Sequence, residues 1–163
     1  MRKSLNGDRI KMEYIEAPTK YQGNTDTSMK SIFLAGGITN CYDWQSDICD
    51  LLRDEEVVLL NPRRKQFPID DPRESMTQIR WEYDQMRKAD AISFWFSKET
   101  LNPIVLYELG AHSMTDKPLF VGVDPEYLRK SDVEIQTALA RPEIKVVYDL
   151  NELAEQVKEW IRD

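Results

Sequence analysis

Residues Ala91 to Phe96 (AISFWF) are an apolar run of six with only Ser93 polar. A run that short and that uniformly apolar is too brief for a helix of its own, and it reads as a strand buried on both faces of a parallel sheet. Ser31 to Ala35 (SIFLA), Val57 to Leu60 (VVLL) and Leu119 to Val123 (LFVGV) have the same character, and Lys145 to Val147 reads as a short last strand. Between these runs the apolar spacing turns helical. One helix carries Trp44, Ile48, Leu51 and Leu52, and the next carries Met76, Ile79, Tyr83, Met86 and Ala89 on what reads as its inward face. Asn102-Pro103 predicts a helix start with Asn as cap and Pro at the first position. Ser131/Asp132 predicts a cap for a helix to about Ala140, and Leu150 to Arg162 an amphipathic closing helix.

Strands alternating with helices of this length predict an α/β fold, a flavodoxin-like doubly wound parallel sheet of five strands. Ile10 to Ile15 (IKMEYI) alternates apolar and polar residues and adds an N-terminal edge strand, after a polar stretch at residues 1–9 that is expected to fray. One domain over residues 1–163 is expected, with residues 1–30 forming the edge strand and a loop, because no linker or shift in composition divides the chain.

In folds of this kind ligands sit beyond the carboxyl ends of the strands. Gly36-Gly37, Asn61 to Arg63, Ser97 and Asp124 would lie at that edge, with Glu108 within reach in the second turn of the helix after Asn102. Glu108 has Ile104, Val105, Ala111 and His112 at helical spacing, three of them apolar, so its carboxylate is expected to face inward. A buried carboxylate is paired, protonated or used in chemistry, and a salt bridge or a cap to a loop is the plain alternative. Asp84 lies four residues from both Arg80 and Lys88, a spacing that also makes an ordinary surface pair. Strand, paired glycines and helix start at Gly36-Gly37-Ile38 make a cradle for a phosphate or another ligand, although paired glycines also end strands for steric reasons. Arg63 and Arg64 follow Asn61-Pro62 at a strand end, so 5′-monophosphates are expected to bind better than nucleosides. A salt bridge to Asp70, Asp71 or Glu74 is the alternative for either arginine.

A net charge of −7 argues against a nucleic-acid polymer as partner, since phosphate backbones call for a basic surface. Two cysteines, Cys41 and Cys49, and no apolar run of about 18 residues predict a reduced, cytoplasmic protein with no membrane partner. One histidine, His112, without CxxC or HxxxH predicts no metal site.

Five pieces of the chain together resemble the nucleoside 2-deoxyribosyltransferase family. They are FLAGG at Phe33 to Gly37, DWQ at Asp43 to Gln45, NPRR at Asn61 to Arg64, WEYDQMRKADAISFWF at Trp81 to Phe96, and LYELGAH at Leu106 to His112. The resemblance implies cleavage of the N-glycosidic bond of (deoxy)nucleosides or their 5′-monophosphates, with transfer of the sugar to another base or to water. It makes Glu108 the nucleophile at the anomeric carbon and Asp84 the residue that contacts the base and assists proton transfer. It implies substrate contacts from Gly36, Gly37, Ile38, Asp43 and Trp44 at one strand end, and from Asn61, Arg63, Trp81 and Asn102 around it. Nucleoside or nucleotide and free base are the implied partners, no cofactor is implied, and a homo-oligomer with a shared active site is expected. A tyrosine that orients the nucleophile in some members falls at Phe33, and a second aspartate of some transferases falls at Asn102. Both departures shift the expectation towards hydrolysis. The alternatives are a nucleotide-binding protein without turnover and, from fold analogy, an enzyme that cleaves the nicotinamide–ribose bond of NAD.

Overall fold

The computed structural model describes residues 11–23 and 29–163, so Ile10 and the polar stretch before it lie outside the described residues. Five strands, β1 (Met12–Glu16), β2 (Lys30–Gly36), β3 (Val57–Asn61), β4 (Ala91–Phe96) and β5 (Leu119–Val123), form a parallel sheet in the order β1-β3-β2-β4-β5. Five helices follow in alternation: α1 (Trp44–Leu52), α2 (Pro72–Lys88), α3 (Pro103–Ser113), α4 (Lys130–Ala140) and α5 (Leu150–Arg162). The architecture is α/β and matches the doubly wound, flavodoxin-like plan, with β1 as the N-terminal edge strand.

The central strands are apolar at both parities because both faces are covered. Phe33, Leu60, Phe94 and Phe96 point to one side, where Trp81 and Met86 of α2, Val105 and Leu109 of α3 and Val133 of α4 meet them. Ile32, Leu34, Leu59 and Trp95 point to the other side, against Trp44, Ile48 and Leu52 of α1 and Leu153, Ala154 and Val157 of α5. From β2 the chain passes to β3 on one flank and then returns to β4 on the other. The strand order therefore reverses between the carboxyl ends of β2 and β4, where Gly36 pairs with Trp95.

Three local expectations are corrected. The strand expected at Lys145 to Val147 is a single bridge between Gly122 and Val147. Only Val147 of that segment is fully buried, and Asp149 caps α5 two residues later, so little chain is left to pair. α4 begins at Lys130 with Arg129 as its cap, and neither Ser131 nor Asp132 caps it.

The largest correction concerns α2. Met76, Ile79 and Tyr83 are exposed; of the expected inward face only Met86 and Ala89 are buried, and Trp81 and Gln85 join them. Two polar anchors set this rotation: Gln85 accepts from the Tyr21 backbone N–H at 3.1 Å, and the Trp81 indole donates to the Thr19 carbonyl at 2.7 Å. Both partners lie in the chain that follows β1, so the inward side of α2 faces a loop and needs hydrogen-bonding groups as well as apolar ones.

Candidate active site

Asp71 caps α2 by accepting from the Arg73 N–H at 3.0 Å, and Pro72 occupies the first turn. Further along, Gln78 and Glu82 stand one turn apart on the same face. The Gln78 amide donates to Glu82 Oε1 at 2.9 Å and to the Pro62 carbonyl at 2.8 Å, which ties the middle of α2 to the chain just past β3. Burial pushes the Glu82 carboxyl above the ordinary carboxylate range, and the Gln78 hydrogen bond pulls it partly back.

On α3, Val105, Leu109 and Ser113 are buried and Glu108 is half-buried at the margin of that stripe. Its pKa rises from 4.5 to about 8, first through burial and second through the charge of Glu82. The two helices thus present two interacting carboxyls in a poorly hydrated setting, where one proton between them is favoured over two charges. His112, one turn on, is held below its usual range by burial and then by Lys117 and Arg87.

Asp84 follows Glu82 by two residues, about 200° further round the helix, and is exposed. The carboxylate whose charge Glu108 feels is Glu82.

The glycine pair is filled by the protein itself. A Cβ on Gly36 would collide with the Trp44 indole, and one on Gly37 with Asn102 Oδ1 and Cys41 Sγ. Trp44 is fully buried and its indole donates to the Gly37 carbonyl at 3.3 Å, as does the Gln45 amide. These glycines meet the steric demand of close packing, the plainer of the two alternatives.

Asn102 is the cap residue of α3 and Pro103 opens the helix, as expected, but the cap is made by the backbone alone. It sits in the left-handed region at φ 48° with no side-chain cap bond. Its amide donates to the carbonyls of Ser97 and Thr100 at 3.3 and 3.2 Å, and Thr100 donates to its Oδ1 at 2.7 Å. With Cys41 Sγ 3.6 Å from the same oxygen, Asn102 plugs the point where the strand order reverses.

Arg63 is likewise committed to the protein. Its Nη2 donates to the carbonyls of Ile38, Cys41 and Tyr42 at 2.8, 2.9 and 3.3 Å, and its Nη1 lies 3.6 Å from Asp43. Asp43 also caps α1, accepting from the Ser46 N–H at 3.2 Å and its hydroxyl at 2.8 Å. Arg64 pairs with Glu74 at 2.7 Å. Carbonyls and Asp43 engage the terminal nitrogens of Arg63, whose Nε is buried without a hydrogen-bond partner, and Arg64 makes the alternative pair with Glu74, so both arginines brace the loop. Asn61 completes the brace: its amide donates to the Tyr14 hydroxyl at 2.8 Å and its Oδ1 accepts from the Arg63 N–H at 2.9 Å. Trp81 is 4% exposed and packs its ring 5.8 Å from that of Phe33.

The structure therefore sets Glu82, which Gln78 holds, within electrostatic reach of Glu108, and neither Gln78 nor Glu82 stood out in the sequence. The signal was present as Gln-x-x-x-Glu from Gln78 to Glu82, a one-turn polar pair just before Asp84. A cavity of about 460 Å³, lined by Asp47, Asp50, Trp95, Asp124, Tyr148 and Asp149 among others, opens on the α1/α5 side and includes neither carboxylate of the pair. Among the described residues there is no cluster of three metal-ligating side chains, and no helix is long and apolar enough to cross a membrane.

No curated protein matches the chain. A family model described as nucleoside 2-deoxyribosyltransferase like matches residues 29–127, from the start of β2 to the turn beyond β5, and so spans Glu82, Glu108 and the braced glycine loop. That match covers more than half of the 163 residues, and the chain belongs to the nucleoside 2-deoxyribosyltransferase-like family.

Proposed function

We propose that this protein cleaves the N-glycosidic bond of (deoxy)nucleosides, with Glu108 as nucleophile and Glu82 as its acid partner. The observation that carries the reading is a pair of half-buried carboxyls on α2 and α3, the charge of one raising the pKa of the other, in a chain whose family acts on nucleosides. A Glu108 oxygen bonds to the anomeric carbon as the carbon–nitrogen bond breaks. The bonding electrons leave with the base, and the proton held by Glu82 neutralises it. In the second half the glycosyl ester is attacked by another base or by water, whose proton returns to Glu82, and Glu108 leaves as a carboxylate. Burial matters at both stages, since a desolvated carboxylate stabilises an oxocarbenium-like centre more strongly than a hydrated one.

The protein works as a homo-oligomer in this reading. Met76, Ile79 and Tyr83 on α2 and Ile104 and Tyr107 on α3 are exposed on the two helices that carry the carboxyls, and a second copy laid over them completes the wall of the site. The two cysteines are free, in keeping with a reducing cytoplasm.

Incubation with a panel of nucleosides and 5′-monophosphates, with and without an added free base, tests the function by chromatography of released and exchanged bases. Base release from at least one nucleoside is expected, together with a mass above the monomer in sedimentation. Ligand binding without release or exchange across the panel would overturn the enzymatic reading in favour of a binding protein.

A further inference from the structure

Gln78 has both amide hydrogens engaged by acceptors. The Pro62 carbonyl can only accept, so it fixes which end of the amide faces it, and the second hydrogen goes to Glu82 Oε1. Pro62 is buried directly after β3, so this bond references Glu82 to the sheet and not merely to its own helix. The amide oxygen of Gln78 is itself buried with no hydrogen-bond partner in the structure.

We infer that Gln78 is a positioning residue for the reaction: it locks the Glu82 carboxyl in one rotamer and, by occupying Oε1, leaves Oε2 as the oxygen that carries the proton delivered to the leaving base. This rests on the proposed pairing of Glu82 with Glu108 and extends it to the group that aims the acid. A protonated carboxyl free to rotate would offer its proton in several directions, and misplacing a reacting group by about 1 Å can cost up to roughly 10²-fold in rate.

The test is Gln78→Met, which keeps the length of the side chain and removes both hydrogen bonds, measured with whichever nucleoside the wild type cleaves. kcat falls roughly 10- to 100-fold while KM stays within about twofold, because Gln78 acts through Glu82 and not on the substrate. In a Glu82→Gln background the same substitution costs almost nothing more, since the group it aims has gone. Gln78→Asn keeps the amide but is one methylene too short to span Pro62 and Glu82, so it should lose kcat comparably, and it serves as the second variant if the Met variant does not fold. Unchanged kcat in the folded Gln78 variants, or an equal fold-loss with and without Glu82, overturns the inference. Failure of Glu82→Gln and Glu108→Gln themselves to lower base release would instead overturn the underlying function, so the two failures are told apart.

Discussion

The charge of Glu82 on α2 raises the pKa of Glu108 on α3. Two carboxyls from different helices, both desolvated and close enough to feel one another, are costly to maintain in the folded state. Structural ion pairs normally oppose unlike charges, so a like-charged pair of this kind points to chemistry.

Glu82→Gln is expected to slow base release by roughly 10²- to 10⁴-fold, with smaller losses for substrates whose base departs without protonation. Asp84→Asn should leave kinetics unchanged and alter stability by less than about 0.5 kcal/mol, because Asp84 is exposed. Steady-state kinetics of both variants on one substrate decide between them, and the opposite ranking would return the acid role to Asp84.

Glu108→Gln should abolish turnover, as it keeps the shape and removes the nucleophile. Its stability should show a characteristic pH dependence. The folded pKa of about 8 lies above the ordinary 4.5, so between those values the folded state binds more protons than the unfolded one. Stability contributed by this group is full below pH 4.5 and is lost as pH rises through 8. The wild type should therefore lose more stability than Glu108→Gln between pH 5 and pH 8, a gap of roughly 2–6 °C in Tm. Thermal melts across that range check it, and parallel pH profiles for the two proteins would show that Glu108 is well hydrated.

The same pair shapes the rate profile. Turnover needs Glu108 ionised, and its value near 8 makes kcat rise with pH up to about 8. Glu82→Gln removes the second cause of that raised value and should shift the limb to lower pH, and a limb that does not move would assign it to another group.

Arg63→Ala should destabilise the protein by about 2–4 kcal/mol, since it leaves the carbonyls of Ile38, Cys41 and Tyr42 without their donor. Its effect on KM should be the same for a nucleoside and for its 5′-monophosphate. A selective rise for the monophosphate would restore the phosphate role that the arginine was expected to play.

The alternation of short apolar runs with helical periods determined the α/β class and the parallel sheet by itself, because a strand buried on both faces must be apolar at both parities and Ala91 to Phe96 admits no other use. The sequence also singled out Glu108, since a glutamate among apolar neighbours on a short helix is conspicuous without coordinates. The rotation of α2 was decided only in three dimensions. Its most periodic apolar residues, Met76, Ile79 and Tyr83, face outward, while Gln78 and Gln85 are drawn in by partners 16 and 64 positions away at Pro62 and Tyr21, and Glu82 is held by Gln78 against the charge of Glu108. Local periodicity sums the preferences of one segment and is blind to which neighbour each face will meet. A helix lying over a loop and a second carboxylate has its orientation set by those distant polar partners, and so the residue paired with Glu108 became visible only in the folded chain.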